Sequence, residues 1–175
     1  MHFKTRKNYI ASRFNFIKLN FLIIFELMDI NKAINQSKFD SEHEKVMLNI
    51  IYSANWTNEQ LKATFDKEDI TPQQYNILRI LRGAKVPIST LQIRARMIDK
   101  MSDTSRIVDR LLKKQFVKKV PCLSDKRLVD ISITKKGLHL LEKLDNNNTI
   151  AGDFCKTLSI NDAITLNTLL DKLRG

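Results

Sequence analysis

Ile98-Asp-Lys-Met-Ser-Asp-Thr-Ser-Arg-Ile-Val-Asp-Arg-Leu-Leu-Lys-Lys-Gln-Phe-Val-Lys-Lys-Val-Pro-Cys122, continuing as Leu123-Ser-Asp-Lys-Arg-Leu-Val-Asp-Ile-Ser-Ile-Thr134, is the stretch that decides the fold. Its first half predicts an amphipathic helix from Ser102 to about Lys114. Ile107, Val108, Leu111 and Leu112 recur at the three-and-four spacing that places apolar side chains on one helical face. Asp103, Thr104, Ser105, Arg106, Arg110, Lys113 and Lys114 are expected on the opposite side. The second half alternates with period two over Val117 to Pro121 and Leu128 to Ile133, around an Asp125-Lys126-Arg127 tip. It reads as a strand pair.

Charge singles out the same region. Residues 79–136 contain 16 Lys and Arg against 5 acidic residues, a net of +11, which equals the net charge of the whole 175-residue chain. The remainder sums to zero. Positive charge concentrated within folded elements is a footprint for a polyanion, whereas evenly spread Lys serves mainly solubility. A basic helix followed at once by a basic hairpin suits two adjacent grooves of a duplex. A membrane surface fits less well, because the basic residues are not on a flanking tail.

Working towards the N-terminus, Pro87-Ile88-Ser89 opens a helix with Ser89 and Gln92 as a capping pair. Leu91, Ile93 and Met97 are expected on its apolar side, and only about four residues, Ile98 to Met101, separate it from the next helix. Two helices joined so closely make a helix-turn-helix. Before it, Thr71 caps a helix with Pro72 in the first position and Gln74 closing the box. That helix is expected to stop at Gly83 as its left-handed terminator. Further back, Ser41 and Glu44 form a capping box, and Val46, Leu48, Ile50, Ile51, Ala54, Leu61 and Phe65 cover more than one face. A small domain has too little mass to bury both sides of such a helix, so one face is a candidate dimer surface.

Residues 1–27 differ from the rest. Met1 to Lys18 carries five basic residues and no acid, and a short apolar run follows to Leu27. That run is too short to span a bilayer, which needs about 20 apolar residues. A signal peptide would lack its cleavage site, and a membrane-surface helix remains open. The abrupt change at Met28 favours a start there, with the preceding residues an over-extended frame. The expected division is therefore an extension at 1–27, an N-terminal dimerisation region at 28–70, a winged helix-turn-helix at 71–136 and C-terminal helices at 137–175.

Thr71-Pro-Gln-Gln-Tyr-Asn-Ile-Leu78, the helix from Ser102 to Phe116 with its Asp109-Arg110-Leu111, and Asp125-Lys-Arg127 leading to Thr134-Lys-Lys-Gly137 resemble the MarR family of winged helix-turn-helix regulators. The resemblance spans about residues 41–173. It implies a mainly α fold with a small β wing, in which the first helix and the last two interlock with a twin subunit. Leu158-Ser159-Ile-Asn-Asp162 caps a last helix bearing Leu166, Leu169, Leu170 and Leu173, in agreement. One departure is Gln115, where the family commonly has Gly; a left-handed Gln there would cost about 1 kcal/mol.

On this reading the protein is a homodimeric, DNA-binding transcriptional regulator, a repressor acting on a palindrome. Thr104, Ser105 and Arg106, in the first turn of the recognition helix, are placed to read bases, and Arg is suited to a bidentate grip on guanine. Arg110, Lys113 and Lys114 meet phosphates, as do Ser89, Thr90 and Arg94 on the preceding helix. Ser102 and Lys126 complete the DNA-facing set. Arg127 enters the minor groove, with Asp125 orienting it or a neighbouring Arg. The resemblance also implies a small aromatic or anionic effector, for which Trp56, Phe65 and Tyr75 are the candidate lining.

Other classes find less support. The chain has no phosphate loop and no metal-ligand spacing, and His2, His43 and His139 are scattered, so neither enzyme nor cofactor is expected. Two distant Cys give no disulfide framework and read as reduced cytosolic thiols, consistent with a cytoplasmic protein. Cys122, beside Lys118, Lys119 and Lys126, leaves open a redox-responsive regulator. A winged helix used as a protein-interaction module is the other alternative, and it predicts a neutral or acidic recognition face.

Overall fold

The structure, a computed structural model, describes residues 29–122, 125, 129–146 and 155–175. In chain order these form α1 (Ile30–Ala33), α2 (Glu42–Asp66), α3 (Pro72–Ala84), α4 (Thr90–Arg96), α5 (Thr104–Lys113), β1 (Val117–Pro121), β2 (Val129–Ile133), α6 (Lys135–Asn146) and α7 (Ile160–Arg174). The expected class is observed: helices around a two-stranded antiparallel wing. The extension at 1–27, the start at Met28 and the wing residues Lys126 and Arg127 lie outside the described residues. Two compact units meet between Glu59 and Gln60, within α2.

In the first unit, α1 had no counterpart in the sequence reading. Asp29 caps it by accepting the Asn31 N–H at 3.1 Å. The Ser41 hydroxyl accepts the Glu44 N–H at 3.1 Å, as a capping box requires. The return bond is displaced by one residue, because the Glu44 carboxylate takes the N–H of Asp40 at 2.6 Å. Along α2 in this unit, Val46, Met47, Ile51 and Tyr52 are exposed in the single chain.

The second unit holds the main core. Ile77, Leu78 and Leu81 of α3 lie within it, packed with Phe65, with Val108 and Leu111 of α5, and with Leu141 and Leu144 of α6. Thr71 and Gln74 form the full capping box, the two bonds measuring 3.1 and 3.2 Å. The end of α3 corrects the expectation for Gly83. Ala84 still packs on the core, so the helix runs one residue further and Lys85 takes the left-handed conformation, at φ 59°. Similarly, the turn between α4 and α5 is seven residues, Met97 to Asp103, not four. Met97 leaves α4 with extended backbone and buries its side chain (2 % exposed), which pulls the chain out of the helix early. Leu91, expected inside, is 75 % exposed; Ile93 and Met97 alone of the three are buried.

The wing pairs Val117 with Ile133 through to Pro121 with Val129. Ile88, just before α4, bridges to Ile131 on the other side of β2, with N–H to carbonyl distances of 3.1 and 2.8 Å. The helix-turn-helix is thereby sewn to the wing. Where β2 meets α6, the Thr134 hydroxyl accepts the Gly137 N–H at 3.1 Å and lies within donating distance of the carbonyls of Gln115 (2.8 Å) and Phe116 (3.0 Å). A Cβ on Gly137 would lie 2.8 Å from Ile133 Cγ1 and closer still to the Phe116 carbonyl oxygen. Glycine is needed here for space.

Two stability predictions follow from these backbone positions. Gly137→Ala forces apart packed backbone and should destabilise the fold by about 1–3 kcal/mol, read as a lower urea midpoint. Gln115 does adopt a left-handed φ of 62°, so Gln115→Gly should stabilise by up to about 1 kcal/mol in the same assay.

Candidate nucleic-acid interface

The recognition helix α5 begins two residues later than expected. Asp103 is its N-cap, accepting the Arg106 N–H at 3.2 Å, so this carboxylate is committed to the helix end. Ser102 belongs to the preceding turn. Its hydroxyl donates to Asp99 Oδ2 at 2.6 Å, while the Met101 N–H reaches Asp99 Oδ1 at 3.0 Å. The Ser102 hydroxyl, then the Met101 amide, hold the Asp99 carboxyl below its ordinary pKa. A lowered carboxylate pKa contributes stability above the unfolded value that fades as pH falls through the folded one. The turn is thus unaffected by pH across the neutral range. Its other end is fixed by the Ile98 N–H, which donates to Asn76 Oδ1 of α3 at 3.2 Å.

The expected base-reading set changes in one member. Thr104 is 4 % exposed. It precedes Val108 by four residues and Leu111 by seven, so helical geometry puts all three on the inward stripe. Ser105 and Arg106 are exposed on the outer side, together with Asp109, Arg110 and Lys113. Arg106 Nε lies 3.1 Å from the Asp103 carboxylate, and its side chain remains 81 % exposed. Lys114, expected to meet phosphate, has its ammonium paired with Asp69 at 2.8 Å.

Thr90 and Arg94 of α4 meet Ser102, Thr104 and Ser105 around one cleft of about 430 Å³. Leu91 and Met101 also line it, and Met101 is 93 % exposed. Neither entered the sequence-based set; the available signal was an apolar side chain at a position whose neighbours on that side are polar. The Ser89 hydroxyl accepts the Gln92 N–H at 3.2 Å, so its first task is capping. Lys118 and Lys119 extend the exposed basic surface along β1, and Lys119 approaches Asp109 of α5 at 3.9 Å. Asp125 is half-buried.

Of the three residues expected to line an effector pocket, Phe65 and Tyr75 lie together in the second unit. Phe65 is 1 % exposed, with its ring 4.5 Å from that of Tyr75, centroid to centroid. Arg79 lies over the Tyr75 ring at 5.7 Å. This is a core pair with a cationic rim, and Phe65 has no free face to offer. Trp56 is half-buried in the first unit. Cys122 is half-buried and Cys155 exposed, both as thiols. Among the described residues, no group of three or more His, Cys, Asp or Glu is placed to hold a metal ion. Nor is any described helix long and apolar enough to cross a membrane.

Residues 70–129, from just before α3 to the first residue of β2, match the family model described as MarR family. The multiple antibiotic resistance protein MarR of Salmonella typhimurium is 26 % identical over 127 residues, covering 71 % of this chain and 88 % of that protein. The HTH-type transcriptional regulator PecS of Dickeya dadantii is 33 % identical over 102 residues, or 54 % of this chain and 61 % of PecS. Among solved structures, a mutant MarR from E. coli complexed with operator DNA superposes with a TM-score of 0.68. It shares 24 % identity and covers 78 % of this chain and 99 % of its own.

Proposed function

We propose, from the premise that the winged helix of this chain belongs to the MarR family, that the protein is a sequence-specific transcriptional regulator binding operator DNA as a homodimer. The observation that carries this reading is the outer face of α5: Ser105, Arg106, Arg110 and Lys113 all exposed on the second helix of a helix-turn-helix. That face is neither neutral nor acidic, so it does not suit the protein-interaction alternative. A protein of the same fold has been captured on operator DNA.

In this reading the N-terminal turn of α5 enters the major groove, where Ser105 and Arg106 meet base edges. Asp103 steadies Arg106 through Nε, leaving the two terminal nitrogens for O6 and N7 of a guanine. Arg94, Arg110, Lys113, Lys118 and Lys126 meet phosphates, and Arg127 probes the minor groove. One winged helix buries too little surface for specific binding, so two copies read a palindrome with half-sites about one helical turn apart. Support for self-association comes from apolar side chains left exposed in the single chain. Val46, Met47 and Ile51 lie on α2, and Ile160, Ile164, Leu169 and Leu173 on α7. Repression follows where the occupied palindrome overlaps a promoter. A small aromatic or anionic effector relieves it by changing the spacing of the two recognition helices.

The chain should retain a palindromic duplex near its own gene in preference to random DNA, and Arg106→Ala should cost about 1–3 kcal/mol and relax specificity at one base pair. Arg127→Ala should weaken binding without changing the unfolding midpoint. A footprint showing no preference over random sequence would falsify the reading. Sedimentation at micromolar concentration should show a dimer without DNA, and Leu169→Glu together with Leu173→Glu should shift it towards monomer; a wild-type monomer removes the palindrome from the mechanism.

A further inference from the structure

We propose that Lys114 is a positioning residue: it latches the C-terminal end of α5 to the end of α2 through Asp69, and it does not contact phosphate. This rests on the DNA-binding reading above and deepens it.

The two helices end alike. Asp69 is left-handed, at φ 51°; its N–H bonds the Asp66 carbonyl and the Ile70 N–H bonds that of Phe65, both at 3.2 Å. Gln115 repeats the pattern at φ 62°, with Gln115 N–H to Leu112 O at 2.9 Å and Phe116 N–H to Leu111 O at 3.0 Å. Each is the paired 5→2 and 6→1 closure of a Schellman ending. Helix C-termini carry partial negative charge, which favours a cation nearby. Lys114, the last residue before left-handed Gln115, supplies that cation to α2. Its ammonium donates to the Asp69 carbonyl and pairs with the Asp69 carboxylate at 2.8 Å.

A second lysine repeats the arrangement. Lys136, in the first turn of α6, donates to the Lys114 carbonyl at 3.0 Å and lies 5.0 Å from the centre of the Phe116 ring. Two lysines in series thus join the ends of α2 and α5 to the start of α6. The Lys114 side chain is 28 % exposed, while neighbouring Lys113 is exposed. An ammonium has three donors, and Asp69 occupies two directions. Swinging Lys114 out to a phosphate would break both bonds to Asp69, so the two roles compete. The latch fixes the tilt of α5 and hence the aim of Ser105 and Arg106.

The test measures the affinity of the full chain, by fluorescence anisotropy over a range of salt concentrations, for a labelled duplex enriched by the wild-type chain from a random-sequence pool. Failure to enrich any duplex overturns the DNA-binding reading, and the latch's role with it. With wild-type binding in hand, Lys113→Gln calibrates a phosphate contact, reducing the log–log salt slope by about 0.9. Lys114→Gln should weaken binding about two- to fivefold with the wild-type slope kept. A slope reduced as in Lys113→Gln overturns the proposal. Asp69→Asn gives an independent check, because Asn tolerates the left-handed conformation and the change removes a negative charge. The latch predicts a similar weakening; stronger binding would mean that Lys114 had been released to the DNA. The double variant should bind no worse than Lys114→Gln alone.

Discussion

The carbonyl oxygen of Phe116 is where three parts of the winged helix converge. It accepts the Thr134 N–H at 3.0 Å, lies at the same distance from the Thr134 hydroxyl, and faces Gly137 at a separation no side chain could share. The recognition helix has just ended, β1 is about to start, and the first turn of α6 lies against this point. A buried carbonyl must find a donor or lose about 1–3 kcal/mol, so the approach of β2 to this point is obligatory. The Thr-Lys-Lys-Gly segment meets that demand with one hydroxyl and one missing Cβ. Register in the wing then follows, because Thr134 is adjacent to Ile133 and Ile133 pairs with Val117.

Positive charge in this protein serves two separate purposes. Arg106, Arg110 and Lys113 are exposed on α5 and available to a polyanion. Lys114 and Lys136 belong to the same basic window, yet their ammonium groups are bonded to the carbonyl oxygens of Asp69 and Lys114, respectively. Arg82, in the same window, is paired with Asp145 at 2.5 Å. A net of +11 over residues 79–136 therefore measures the region's field, while overstating the number of groups aimed outward. The field still matters: even partnered lysines raise the local positive potential offered to a polyanion.

Most of the architecture was legible because it depends on local signals. The capping residues Thr71, Ser89 and Ser159 and the alternation of Val117 to Pro121 act within a few residues of themselves. The misreadings came where a distant contact decided the outcome. Gly83 looked like a terminator, but Ala84 had core to cover and Lys85 accepted the left-handed turn instead. Thr104 was assigned by its polarity, whereas its helical phase with Val108 and Leu111 turned it inward. Lys114 sits beside Lys113 in sequence, and nothing in that pair reveals that Asp69, 45 residues earlier, claims only the second.

The first wing strand has one further consequence. β2 is paired on both sides, by β1 and by Ile88, whereas β1 pairs on one side only among the described residues. An open strand edge can recruit strands from other chains. Here the edge carries Lys118 and Lys119 and ends in Pro121, which has no N–H to offer. Like charges repel an approaching copy, and the proline leaves a gap in any ladder it might start. The exposed lysines of the wing thus keep neighbouring wings from joining into an extended sheet.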